Sequence, residues 1–209
     1  MSVADAMRIF LPLYLTAFLL ITYTFAVRAF IQAHGVDPRA TREPDAVLYF
    51  CQRVRDGVIV ATMVVIGTNT IAPGLNWLFE PITFLDRPLL RGAGALVLIT
   101  ALIVIRTGQK QLGVSWRIGV DRSGAAPGLV QRGLYRYTRN PIAVGMLLNA
   151  SGLFLALPNA ITFAIVWVVL VILQVRIRVE EEHMRAIYGA AYDDYGRRTP
   201  RWLWQGRSV

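Results

Sequence analysis

The feature that most limits what this chain can fold into is its recurring apolar runs, several of them long enough to cross a bilayer. The hydrocarbon core offers no water to the backbone, so such runs must close their own hydrogen bonds as helices. The runs are Ile9 to Ala33, Gly57 to Ala72, Pro88 to Ile105, Ile142 to Leu157 and Ala160 to Val175. They predict an all-α integral membrane protein with about five transmembrane helices. Mean hydropathy of +0.48, with 55% of residues hydrophobic, is too apolar for an ordinary soluble domain.

The first run is interrupted only by Arg28, whose long stem reaches toward the interface. It has no basic leader and no small-residue cleavage site after it, so it reads as a retained helix and not a signal peptide. Glycine, two prolines and mixed charge make His34 to Asp45 a loop. Arg53, Arg55 and Asp56 then stand at the interface before the second run, which Pro73-Gly74 ends or kinks. Leu75 to Phe84, carrying Trp77 and Phe79, reads as an interfacial stretch. The fourth run is short for a full crossing, and its Asn149 and Ser151 mark a side that faces protein. The fifth passes without a helix breaker through Arg176, Arg178 and Glu180-Glu181-Glu182, so its helix should continue into water.

The net charge of +9 would suggest a nucleic-acid partner in a soluble protein. Here the arginines crowd the ends of apolar runs, as orientation in a membrane requires, which argues against nucleic acid. A five-span layout puts nineteen of the twenty-two Lys and Arg residues on the side of the C-terminus. The C-terminus is therefore expected in the cytoplasm and the N-terminus outside, in a bacterial-type inner membrane. Cys51 alone excludes an intramolecular disulfide, and His34 and His183 make no metal-ligand cluster. No repeat or linker divides the chain, so residues 1–209 are expected to form one membrane domain.

Two polar segments interrupt this greasy frame. From Thr107 to Pro141 glycines and basic residues alternate with aromatics, ending in Gly133-Leu134-Tyr135-Arg136-Tyr137-Thr138-Arg139-Asn140-Pro141. Proline is preset for a first helical turn, and the amides free at that helix start can bind an anion. Taken alone, Arg132, Arg136 and Arg139 form a basic loop meeting lipid phosphates. In the second segment, Arg176 with Glu180 and Arg178 with Glu182 stand four apart, which alone describes a salt-bridged helix face. Tyr188, Tyr192 and Tyr195 follow around Gly189 as one aromatic stripe on that helix. The tight Leu157-Pro158-Asn159 turn between the fourth and fifth runs should return both segments to the same membrane face, making one site of two distant pieces.

Read together, Gly133, Tyr135, Arg136, Arg139, Asn140, Pro141 and Gly145, followed by Glu180, Glu181, Met184, Gly189, Tyr192, Tyr195, Pro200 and Arg201, form an ordered pattern. It resembles the isoprenylcysteine carboxyl methyltransferase family and its relatives among membrane phospholipid methyltransferases, in the form of a compact prokaryotic-type member. Leu112 to Trp116 also looks like that family's approach to the cofactor loop. The resemblance covers about Arg106 to Arg201 and implies S-adenosyl-L-methionine as methyl donor. It implies contacts to the donor from Trp116, Gly133, Tyr135, Arg136, Asn140, Pro141, Glu181, Tyr188, Tyr192 and Tyr195. Catalytic roles fall to Arg139, Glu180 and Glu181, with no metal. Residues 107–209 would then bind the donor, and residues 1–106 would form a three-helix scaffold that receives a lipid-like acceptor.

The chemistry suits these residue types. Methyl transfer from a sulfonium is an in-line displacement that demands alignment and control of local charge. An arginine can orient a carboxylate or phosphate bidentately, and a glutamate can hold the donor's ammonium or, if desolvated, take a proton from an amine or thiol. The chain departs from the family pattern at two positions. Asn140 stands where a histidine is common and cannot titrate, and Ala143 stands where many members have tyrosine. Two other functions remain open on sequence. Membrane sterol and steroid reductases using NADPH share a related pattern, although the Glu180-Glu181 pair favours the methyltransferase, and the same fold can serve as a non-catalytic membrane scaffold.

Overall fold

The structure is a computed structural model that describes residues 2–35, 37, 46–116 and 128–203. Most of the expected loop at 34–45, and 117–127 of the glycine-rich segment, lie outside the described residues. The chain begins with helix α1, Val3–Leu19, started by a reciprocal cap in which the Ser2 hydroxyl accepts from the Asp5 amide and the Asp5 carboxylate accepts from Ser2. A single π-helical turn, Leu20–Thr24, joins α1 to α2, Phe25–His34. Then follow α3, Ala46–Ile71, and α4, Pro88–Leu112. The last three helices are α5, Pro141–Ala156, α6, Ala160–Tyr188, and α7, Ala190–Arg198.

Among the described residues, four helical stretches are long and apolar enough to cross a membrane: Val3–Ala33, Ala46–Ile71, Pro88–Leu112 and Ala160–Tyr188. The fifth expected span, α5, is apolar but only 16 residues long. At 1.5 Å per residue it reaches about 24 Å, less than the roughly 30 Å hydrocarbon core. Two expected boundaries move. Helix α3 already includes Arg53, Arg55 and Asp56, before the apolar stretch from Gly57, and α4 runs past Ile105 to Leu112. Both extensions follow from the absence of a helix breaker at those points.

Helix α5 is held by its partners. It lies antiparallel against α4 with Gly94 facing Gly152 and Ala156, Leu98 facing Gly152, Ile105 facing Gly145 and Gly108 facing Ile142. A side chain at Gly94 would overlap the backbone of Ala156, and one at Gly145 would press on Ile105. Close backbone approach through small residues is how apolar helices pack where the surroundings are equally apolar. One polar node pins this pair to α1. The Tyr14 hydroxyl lies 2.8 Å from the Leu98 carbonyl and 2.6 Å from Asn149 Oδ1, and shares its proton between these two acceptors. Asn149 thus faces protein, as its placement in an apolar run required.

Helices α5 and α6 form the expected hairpin. Asn159 caps α6 by accepting from the Thr162 amide, while the Thr162 hydroxyl accepts in return from the Asn159 amide. Outside the hairpin, Pro73–Phe79 and Thr83–Leu85 form short 3-10 turns. Backbone bonds from Ile82 to Pro158 and from Ala160 to Glu80 tie that loop to the hairpin turn. Helix α6 runs unbroken through Arg176 and the three glutamates to Tyr188, carrying the charged segment beyond the apolar span.

Candidate functional site

The first polar segment is set by a glutamine and a glycine. The Gln111 side chain, on the last turn of α4, accepts from the Leu134 amide at 2.7 Å and fixes the short 3-10 turn Gly133–Arg136. Gly133 has φ +63°, and a Cβ there would collide with the Gln111 amide, so both backbone and space demand glycine. Thr138, buried, and Asn140 both reach the Arg201 carbonyl, at 2.8 and 3.3 Å. Pro141 then opens α5 at its first turn.

The second segment breaks where the sequence suggested one helix. Gly189, at φ +51°, ends α6, and α7 starts in a new direction. Tyr188 therefore belongs to α6 and Tyr192 and Tyr195 to α7, correcting the expectation of a single stripe. A residue with a Cβ rarely adopts this backbone, which is the signal Gly189 carried. The Tyr195 hydroxyl donates to the Tyr135 carbonyl at 2.6 Å, fastening α7 to the 3-10 turn.

The two segments do meet. The Arg139 amide donates to the Pro200 carbonyl at 3.0 Å. Glu181, 2% exposed, lies between two guanidinium groups. Arg201 grips it with Nε to Oε1 at 3.0 Å and Nη2 to Oε2 at 2.6 Å. Arg139 Nη1 approaches Oε1 at 3.1 Å. That last approach is an ion pair by distance but too bent for a hydrogen bond, so Arg139 Nε and Nη1, both buried, lack a hydrogen-bond partner. The Arg139 guanidinium also lies 5.8 Å from the centre of the Tyr192 ring. One residue before Glu181, on the neighbouring stripe of α6, Glu180 pairs with Arg176 at 2.6 Å. Arg178 and Glu182 are exposed.

These groups line a cavity of about 630 Å³. One wall is polar and aromatic: Trp116, Tyr135, Arg139 and Asn140 from the first segment face Glu180, Glu181, Tyr188, Tyr192 and Tyr195 from the second. The opposite wall is mostly apolar, with Phe18, Leu19 and Ile59 from the first two long helices and Ile142 and Met146 from α5. Gly133, Arg136 and Pro141 are not among the lining residues; Gly133 and Pro141 shape the loop, and Arg136 is exposed. Trp116 is also part of a packing cluster, meeting Phe30 edge-on at 5.6 Å.

Several lining or supporting residues were not singled out from sequence. Arg201 was noted only as part of a pattern. Gln109 donates to the Thr22 carbonyl at 2.8 Å, satisfying the π-helical turn where it borders the cavity. Such turns recur at functional sites, but an unbroken apolar run gives no warning of one. Arg55, Asp56 and His183 also line the cavity. Burial pushes the hydroxyls of Tyr135, Tyr192 and Tyr195 above the usual phenol range, with Glu181 adding to the effect at Tyr192. They remain neutral donors. The bond to Glu181 holds Arg201 above the ordinary guanidinium range.

The fold and this chamber define an all-α membrane protein whose cavity joins a charged, aromatic wall to an apolar one. Residues 90–191, from α4 into α7, match the family described as phospholipid methyltransferase. The methyltransferase resemblance of the charged segments is thereby borne out. No curated protein matches the chain significantly.

Proposed function

We propose that the chain transfers a methyl group from S-adenosyl-L-methionine to a lipid-like acceptor bearing a carboxylate, amine or thiol. The observation that carries this reading is the single chamber in which buried charge and aromatic rings face an apolar wall built from the first two long helices. Its volume suits a small-molecule site. The groups present fit the donor. Trp116, Tyr188 and Tyr192 supply flat surfaces for a purine, Glu180 a carboxylate for an ammonium, and Arg139 two unsatisfied buried donors for an anionic group. When bound, the donor supplies an electrophilic methyl group.

The chain's own residues would do the rest. Arg139, fixed by Glu181 and the Pro200 carbonyl, orients an anionic group at the junction of the two walls. Glu180 holds a cation or accepts a proton from a protic nucleophile. The fixed walls of the chamber favour one alignment of donor and acceptor. Asn140, with its amide turned to the Arg201 carbonyl, serves the closure of the loop. The concentration of basic residues near the C-terminal charged segments supports a cytoplasmic site in a bacterial-type inner membrane.

The test is equilibrium binding of S-adenosylhomocysteine to detergent-purified protein, with NADPH in parallel and Glu180→Ala and Glu181→Ala as controls. Micromolar binding of S-adenosylhomocysteine that weakens in the variants is expected. Binding of NADPH alone would transfer the protein to the reductases, and binding of neither by folded protein would leave a scaffold.

A further inference from the structure

We propose that Arg201 is a positioning residue of the site, acting through Glu181 to hold the Arg139 guanidinium in the cavity wall. The segment that carries it lies well beyond the three glutamates in sequence, yet it is stitched across the site from both ends. Its backbone accepts from Arg139 through Pro200 and from Thr138 and Asn140 through Arg201. Trp202, the next residue, is fully buried among Ala143, Val144, Leu173 and Ile177, between α5 and α6. The Arg201 side chain is thus delivered to Glu181 by an anchored strap.

The geometry divides the labour between the two glutamates. Both oxygens of Glu181 are engaged by Arg201, and only Oε1 is shared with Arg139. The planar fork of Arg201 takes the carboxylate face-on and leaves Arg139 one off-axis contact. Arg139 keeps Nε and Nη1 without hydrogen bonds. Without Arg201, Glu181 would turn both oxygens to Arg139, the nearest remaining cation, and draw its guanidinium out of the wall. The other groups beside this pair are Tyr192, whose ring lies under Arg139 and Arg185, and Tyr195, committed to the Tyr135 carbonyl. Neither can replace a bidentate cation. Glu180, bound to Arg176 on the adjacent stripe, keeps its own partner and is unaffected.

The functional readout rests on the methyl-donor reading above, and a second readout does not. S-adenosylhomocysteine affinity would be measured for the wild type, Arg201→Met, Arg201→Lys, Arg139→Lys and the Arg139→Lys/Arg201→Met double variant, with thermal midpoints alongside. Arg201→Met should weaken binding on the order of tenfold or more. Arg201→Lys should restore part of it, and the double variant should be no worse than Arg139→Lys alone, since both changes act through one guanidinium. Trp202→Leu, which loosens the strap without touching Glu181, should lower the midpoint while its affinity change stays additive with Arg139→Lys. In parallel, the side-chain ¹⁵N resonances of Arg139, assigned by their loss in Arg139→Lys, should shift in Arg201→Met without ligand. If the wild type binds S-adenosylhomocysteine but Arg201→Met binds it equally well with Arg139 resonances unmoved, the positioning role is wrong and the donor reading stands. If the wild type does not bind it while the resonances shift, the positioning role stands and the donor reading fails. Full additivity of Arg139→Lys with Arg201→Met, with no rescue by lysine, would reduce Arg201 to a latch.

Discussion

Helix α5 has two neighbours, and it meets them by opposite means. Toward α4 it presents Gly145 and Gly152, so the two backbones touch and no room remains for a Cβ. Toward α6 and the cavity it presents Ala143 and Met146, with space beyond them. The first contact is specified by size and contains no charge; the second is apolar on the α5 side and leaves a chamber whose other wall carries the charge. The difference teaches that this protein spends its tight packing on a rigid seam behind the site, so that the wall in front can stay open.

The seam is the easier side to break. Gly94→Leu must displace the backbone of Ala156, and its cost should reach about 3 kcal/mol or more, seen as lost thermal stability and yield in detergent. On the charged side, Glu181→Ala strands two arginines around a vacated buried position. It should cost about 3 kcal/mol of stability, and S-adenosylhomocysteine affinity should fall on the order of a hundredfold. If Glu181→Ala left both stability and affinity unchanged, charge would not be what specifies this wall. A gentler probe is alkaline pH. Tyr135, Tyr192 and Tyr195 have raised folded-state values, so in the unfolded chain they lose protons first, near pH ~10. Their contribution should be complete below that pH and decline above it, and a thermal midpoint series across about pH 8 to 11 would check the sign. Smallest of all, Arg178→Ala alters an exposed position on α6 and should shift stability by less than about 0.5 kcal/mol, with affinity unchanged.

The seam and the wall were also unequally legible in the sequence. Apolar runs announced the long helices, because bilayer thickness fixes their length, and the Leu157-Pro158-Asn159 turn announced the hairpin. The meeting of the two charged segments followed from that hairpin and was found, with Arg139 against Glu181. The seam was not foreseen: Gly94, Gly145 and Gly152 are scattered in runs whose hydropathy says nothing about which faces approach. The role of Arg201 was equally hidden, since its partner lies 20 residues upstream and the strap between them turns at Gly189 and again after Arg198. Glycine as a helix breaker was visible at Gly189, but its effect on the tyrosine stripe depends on a direction that spacing alone does not give. The same holds for the π-helical turn at Leu20–Thr24, which keeps the apolar character of an ordinary helix.

The polar node at Tyr14 sets a sequence of events during biogenesis. Tyr14 emerges from the ribosome in the first helix, but its partners Leu98 and Asn149 are made 84 and 135 residues later. Until α4 and α5 arrive, a hydroxyl on a membrane-inserted helix has no intramembrane partner except lipid or its own backbone. The first helix can meet α3 beforehand, since Leu11 shares a cluster with Val65 and Ile66 and the Arg8 carbonyl accepts from Thr70, but the arrival of the α4–α5 pair is the step that completes its polar contacts. A chain truncated before Asn149 would keep the contacts of its first helix with α3 but leave the Tyr14 node incomplete.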